Sequence, residues 1–162
     1  PVDLEKLAEA MVGIQRDLAA PRQVNVVLEK RQGRLPATAM GHDSRLAQVF
    51  NNLIDNAVSF SPAGGTVSVA MRTEQDTITI TVTDEGPGIR GDISRIFQRF
   101  YTDRPDGEHF GDHSGLGLSI SKQIIDAHRG KISAHNRDDR TGAVFTIVLP
   151  RAPSERVQRP RK

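Results

Sequence analysis

The chain has no cysteine and no tryptophan among its 162 residues, and only one tyrosine. The lack of cysteine excludes a disulfide scaffold and any thiolate zinc site, and it suits a reducing compartment. Aromatic residues make up 4% of the sequence, too few for base-stacking platforms, so nucleic acid is not an expected partner. No apolar run approaches the roughly 20 residues of a membrane helix, and no signal-peptide pattern opens the chain. The first residue is Pro1 rather than methionine, which reads as a piece of a longer protein. No internal repeat is apparent.

The net charge of +2 hides an uneven distribution. In residues 151–162, Arg151, Arg156, Arg159, Arg161 and Lys162 face only Glu155, a net of +4 that leaves residues 1–150 at −2. A short Pro/Arg tail of this kind reads as a solvated, disordered end rather than a nucleic-acid arm. The length suits one domain, assigned to residues 1–150, with 151–162 as the basic tail.

Hydrophobic periodicity outlines the elements. Asp3 is placed to cap a first helix whose apolar stripe is Leu4, Leu7, Ala8, Met11, Ile14 and Leu18, stopped by Pro21. Val24, Val26 and Leu28 alternate as a strand, and 37–41 could add a short one. Asp43 or Ser44 should open a second helix running from Arg45 to about Phe60, with Leu46, Val49, Phe50, Leu53, Ile54, Ala57 and Val58 inward. Pro62, Gly64 and Gly65 end it. The runs 66–72 and 77–83 read as a β-hairpin. A short helix over 93–101, a polar loop over 102–114, a third helix over 118–128 and strands over 131–135 and 143–149 complete the order. This succession lacks β-α-β alternation and points to an α+β sandwich, one mixed sheet covered on one face by about three helices.

Three groups of residues carry chemistry. Asp84-Glu85-Gly86-Pro87-Gly88-Ile89 follows the second hairpin strand, setting a carboxylate at its end and glycines where a flat ligand could approach. An ordinary turn would look the same. Asn52 and Asn56 lie one helical turn apart on one side of the second helix, beside its core face. They could be surface amides, or oxygen ligands for a hard cation such as Mg²⁺. Ser114-Gly115-Leu116-Gly117-Leu118 puts two glycines at a helix start, as a lid hinge or a phosphate cradle. His109 and His113, four apart in the polar loop without a third ligand, read as solvated rather than zinc-binding.

In combination, Asn52-Leu53-Ile54-Asp55-Asn56, Asp84-Glu85-Gly86-Pro87-Gly88, Phe97 to Phe100, Gly115-Leu116-Gly117-Leu118 and Thr141-Gly142 before Phe145-Thr146 resemble the N, G1, F, G2 and G3 boxes of the catalytic ATP-binding domain of bacterial sensor histidine kinases, in that order. The resemblance spans about residues 2–150, and the loop 102–117 is similar to that of the alphaproteobacterial ChvG/ExoS-type envelope sensors. It implies the Bergerat α/β sandwich of the GHKL ATPases, with an ATP lid over about 101–115.

By position, the resemblance implies that Asp84 meets the adenine amine, with Gly86, Gly88 and Ile89 beside the base. Asn56 and Asn52 would hold Mg²⁺ and serve phosphoryl transfer. Ser114, Gly115, Leu116, Gly117 and Leu118 would line the phosphates, Thr146 would support the adenine side, and Tyr101 and Arg104 would contact nucleotide from the lid. Phe97 and Phe100 would pack the lid and a kinase interface.

Hydrolysing relatives carry a glutamate where Asn52 stands, so transfer to a protein side chain is favoured over hydrolysis. Ser59 and Phe60 replace a basic residue and tyrosine common after the Asn box, and Arg129 replaces a glycine. None of His42, His109, His113, His128 or His135 sits in the phosphoacceptor pattern H-[DE]-x-[RK]-[ST]-P. The implied role is therefore to bind Mg·ATP and pass the γ-phosphate to a histidine on a separate dimerisation domain, upstream of a response regulator. The implied full-length protein is dimeric and anchored in the bacterial inner membrane, with this fragment a monomeric cytoplasmic domain. The alternatives are a GHKL serine kinase or ATPase, or a non-catalytic nucleotide-sensing module.

Overall fold

A computed structural model of the chain describes residues 1–98 and 117–153. Asp3 caps α1 (Leu4–Ala19) as anticipated, its carboxylate accepting from the backbone N–H groups of Glu5 at 3.1 Å and Lys6 at 3.2 Å. Two of the first turn's unpaired donors are thereby satisfied. The inward face of α1 differs from the anticipated stripe. It consists of Leu4, Ala8, Val12, Gln15 and Ala19, while Ile14 is 49% and Leu18 60% exposed. Apolar residues ring more of this helix than one packing face can cover, and the buried side centres on small residues that let the helix approach closely. Gln15 turns inward because Asn51 receives it: Gln15 Nε2 donates to Asn51 Oδ1 at 2.6 Å. Its Oε1 is buried without a partner among the described residues.

A two-residue strand, β1 (Val2–Asp3), pairs antiparallel with β3 (Thr38–Ala39). β1 is too short for alternation to reveal it in the sequence. The main sheet has five strands: β2 (Asn25–Leu28), β4 (Thr66–Thr73), β5 (Thr77–Thr83), β6 (Lys131–Asn136) and β7 (Ala143–Pro150). Their order is β2-β4-β5-β7-β6, with β2 and β4 parallel and every other pairing antiparallel. This is the mixed sheet of an α+β sandwich.

Strand alternation sorts the two faces of the sheet. Val67, Val69, Ile78, Ile80, Val82, Phe145, Ile147 and Leu149 point into the core with the inner faces of α1, α2 (Asp43–Phe60) and α3 (Gly117–Ala127). Complete burial of each such side chain contributes about 1.5–3 kcal/mol. The intervening Thr79, Thr81, Val144 and Thr146 are only partly covered.

Two helix ends lack a usual capping residue. α2 starts at Asp43 behind His42, which makes no side-chain capping bond, and the Asp43 carboxylate accepts from the neighbouring Ser44 N–H at 2.7 Å. α3 is followed by Arg129 at φ 61°, a left-handed conformation that costs a non-glycine residue roughly 1–2 kcal/mol. The chain stays tied to the sheet past Pro150, with Arg151 N–H donating to Asp76 O and Ala152 N–H to Thr38 O.

Candidate nucleotide site

Asp84 continues the inward alternation of β5 and is 3% exposed. Its Oδ1 accepts from the N–H of Gly86 at 2.9 Å and of Ala143 at 3.1 Å, binding the turn to the start of β7. Oδ2 has no protein partner among the described residues. Burial pushes the Asp84 carboxyl above its ordinary range, opposed by the two N–H bonds and by the Arg137 guanidinium. The group is a buried acceptor with one oxygen held and one to offer.

The glycines of this loop answer first to the protein itself. A Cβ at Gly86 would sit 2.6 Å from the carbonyl oxygen of Phe60, so the loop abuts the last turn of α2. Gly88 has φ +86°, and a Cβ there would meet Asn136 Oδ1 at 2.9 Å. Each of these glycines is therefore required by a neighbouring backbone or amide of the protein itself. Ile89, partly buried against the core, is gripped by the same amide. Its N–H donates to Asn136 Oδ1 at 2.6 Å, and Asn136 Nδ2 donates to Ile89 O at 3.2 Å, a strand-like exchange made by a side chain.

Further bracing comes from residues the sequence did not single out for a role. Arg137 Nη1 donates to Asp84 O at 3.1 Å while its other nitrogens hold Asp139, whose carboxyl that hydrogen bond lowers below the usual range. Glu85 accepts from Thr66 N–H at 3.1 Å and pairs with Arg140 at 3.3 Å. Asn136 and Arg137 stand where β6 runs into a turn, which resembles any polar strand end; only the sheet register places them beside the Asp84 loop.

The other half of the site rests on α2. Asn52 Nδ2 donates to Gly117 O and to Ser121 Oγ, both at 3.3 Å, tying α2 to the first turn of α3. Its Oδ1 is left without a partner among the described residues. Asn56, one turn on, has a carboxamide with no hydrogen bond among the described residues, and Phe60, one turn further, carries the Gly86 contact. The C-terminal half of α2 therefore links the Asn pair, the Asp84 loop and the start of α3. Gly117 opens α3 and Leu118 packs partly against the core. No group of three or more His, Cys, Asp or Glu among the described residues could hold a metal ion, so the amide oxygens of Asn52 and Asn56 are the candidate hard donors.

Thr146 is a correction. It pairs with Thr81 on the open face of the sheet, whereas Asp84 lies on the helix-covered face, so the two are not brought together. Phe97 packs edge-on against Phe145 with ring centroids 6.2 Å apart, on the core side. Tyr101, Arg104, Ser114, Gly115 and Leu116, together with Phe100, His109 and His113, lie outside the described residues.

Residues 41–153 match the family described as histidine kinase-, DNA gyrase B-, and HSP90-like ATPase. Among curated relatives, the sensor protein ChvG of Agrobacterium fabrum is 43% identical over 94% of this chain, which spans 27% of that protein's length. A crystal structure of full-length ShkA in complex with AMPPNP superimposes with a TM-score of 0.77 at 27% identity, covering 93% of this chain and 30% of that one. The histidine kinase ThkA in complex with the response regulator protein TrrA gives a TM-score of 0.76 at 25% identity, covering 96% of this chain and 42% of that one. No helix among the described residues is long and apolar enough to cross a membrane. The chain belongs to the histidine kinase-, DNA gyrase B- and HSP90-like ATPase family, as the catalytic ATPase domain of a sensor histidine kinase.

Proposed function

We propose that this domain binds Mg·ATP between the Asp84 loop, the C-terminal half of α2 and the start of α3, and presents the γ-phosphate to a histidine on a separate dimerisation domain. The observation that carries the reading is Asp84, a buried carboxylate with Oδ1 fixed by two backbone N–H groups and Oδ2 without a protein partner among the described residues. An exocyclic amine is a natural donor for that oxygen, a charged acceptor that the described residues leave unengaged.

Asn56 and Asn52 would hold Mg²⁺ through their amide oxygens, the ion supplying charge neutralisation on the phosphates when bound. Their lack of charge suits an ion that arrives with its nucleotide and keeps water in its shell. Asn52 cannot act as a general base, and its amide nitrogen is committed to Gly117 and Ser121. That commitment favours positioning for transfer over activation of water. Gly117 and Leu118, with Ser114, Gly115 and Leu116, would meet the phosphates, and Tyr101 and Arg104 would close over the nucleotide.

The ShkA complex with AMPPNP and the ThkA complex with a response regulator support the choice of ligand and of downstream partner. In this reading the whole protein is a membrane-anchored dimer in the bacterial inner membrane. Residues 1–150 work as its cytoplasmic catalytic domain, followed by a basic tail. The test mixes this domain with a separately produced phosphoacceptor domain and labelled ATP. Label that survives base and is lost in acid marks phosphohistidine; label stable to acid, or inorganic phosphate alone, would transfer the assignment to a serine kinase or an ATPase.

A further inference from the structure

A second concave site lies at the opposite end of the helical layer. A cleft of about 590 Å³ is lined by His42 just before α2 and Arg45 within it, His128 and Arg129 after α3, and Arg151 just past β7. Met40, Ala127, Pro150, Ala152 and Pro153 add an apolar floor, and no carboxylate is among the lining residues. Asp43, the acidic neighbour on α2, has its carboxylate turned to the Ser44 N–H. The cleft is separated from Asn56 by roughly 15 Å of α2.

Part of this wall is fixed in place. His42 N–H donates to His128 Nε2 at 3.1 Å, and His128 Nδ1 lies 2.7 Å from Ile124 O, so the ring carries its proton on Nδ1. A Cβ on Gly41 would collide with that ring. Arg151 Nε donates to Glu74 O at 3.1 Å and Gln75 O at 2.9 Å. The side chains of Arg45 and Arg129, by contrast, make no hydrogen bond or ion pair among the described residues. Arg129 occupies the left-handed position at which glycine would be free of strain. A guanidinium is thus kept, at a conformational cost, at the mouth of a cleft that already gathers two others.

We propose that this cleft is a binding site for a phosphate-bearing ligand, distinct from the nucleotide site. Guanidinium groups match phosphate oxygens in paired hydrogen bonds, and a cleft of this volume holds a small ligand rather than a protein surface. The phosphate can belong to a soluble molecule or to a lipid headgroup. The proposal rests on the nucleotide reading only in placing ATP elsewhere.

The experiment titrates pyrophosphate into the ¹⁵N-labelled domain saturated with Mg·ADP, reading amide shifts. Perturbation should concentrate at residues 41–45, 127–130 and 151–153, whereas ADP itself perturbs residues around Asn56, Asp84 and Gly117, so the two readings succeed or fail separately. The paired variant Arg45→Ala with Arg129→Gly should weaken pyrophosphate binding at least ten-fold. Because Arg129→Gly relieves the left-handed strain, that single variant should melt no lower than the parent, which separates lost binding from lost fold. Co-sedimentation with phosphatidylglycerol vesicles, set against phosphatidylcholine vesicles, identifies a lipid source if the paired variant abolishes it. Pyrophosphate shifts scattered outside these segments, equal affinity in the paired variant, or vesicle binding that survives in it (and so belongs to the basic tail) would overturn the proposal.

Discussion

The two halves of the proposed nucleotide site are built by different means. Around Asp84 nearly every polar group is spoken for: Gly86 and Ala143 hold its Oδ1, Arg137 holds its carbonyl, and Asn136 pairs both backbone groups of Ile89. Along α2 the pattern reverses. Among the described residues Asn52 is tied through its nitrogen only, and the Asn56 carboxamide has no partner. The first half is finished by the fold, so it can select a ligand by shape and by a single offered oxygen. The second half is left open by the described residues, as the proposed function requires of a place for a cation and phosphates that come and go with turnover.

Substitutions can break this contrast. The largest effect should come from Gly86→Ala, whose methyl would press on Phe60 O and force apart the loop and α2. A loss of about 1–3 kcal/mol in unfolding free energy is expected, read by denaturant titration, together with weaker nucleotide binding. Asp84→Asn should behave in the opposite sense. The amide keeps an oxygen for Gly86 and Ala143 and removes a buried charge, so stability should hold or rise while ATP affinity falls about 10–100-fold, equivalent to a charged hydrogen bond of about 1.5–3 kcal/mol.

A pH series sharpens the same point. Because burial raises the Asp84 carboxyl, its ionised form opposes folding at neutral pH, and that cost is relieved as pH falls through the raised value. Nucleotide binding should weaken over the same fall in pH as the acceptor is protonated, and this arm should vanish in Asp84→Asn. Smaller still is Asn136→Ala, which removes two hydrogen bonds to Ile89 and should cost roughly 1–2 kcal/mol in stability, seen as faster amide exchange over 86–90. Asn56→Ala should leave the melting temperature within about 1 °C of the parent, since its side chain makes no hydrogen bond among the described residues. It should remove the magnesium-dependent part of ATP affinity.

Periodicity located α2, the hairpin of β4 and β5, and β7, because each presents one apolar face over several repeats. The Asp84 loop and the Asn pair were legible as well, since acidic, glycine and amide residues at those spacings are unusual inside apolar frames. What escaped depended on contacts between distant segments. Ile14 and Leu18 look like core residues on a helical wheel, yet the side turned inward holds Val12 and Gln15, the latter bonded to Asn51 of α2. Thr146 alternates as expected, but alternation alone does not say which face meets the helices. Asn136 and Arg137 acquire meaning only through the pairing of β6 with β7, which brings them to the Asp84 loop.

The most direct test of the divided site is calorimetric titration of ATP into the parent, Asp84→Asn and Asn56→Ala, each with and without Mg²⁺. The account predicts that Asp84→Asn loses affinity by the same factor in both conditions, whereas Asn56→Ala matches the parent without Mg²⁺ and falls behind it only when the ion is present. An Asp84→Asn protein that binds ATP as the parent does, or a parent whose affinity ignores Mg²⁺, would contradict it.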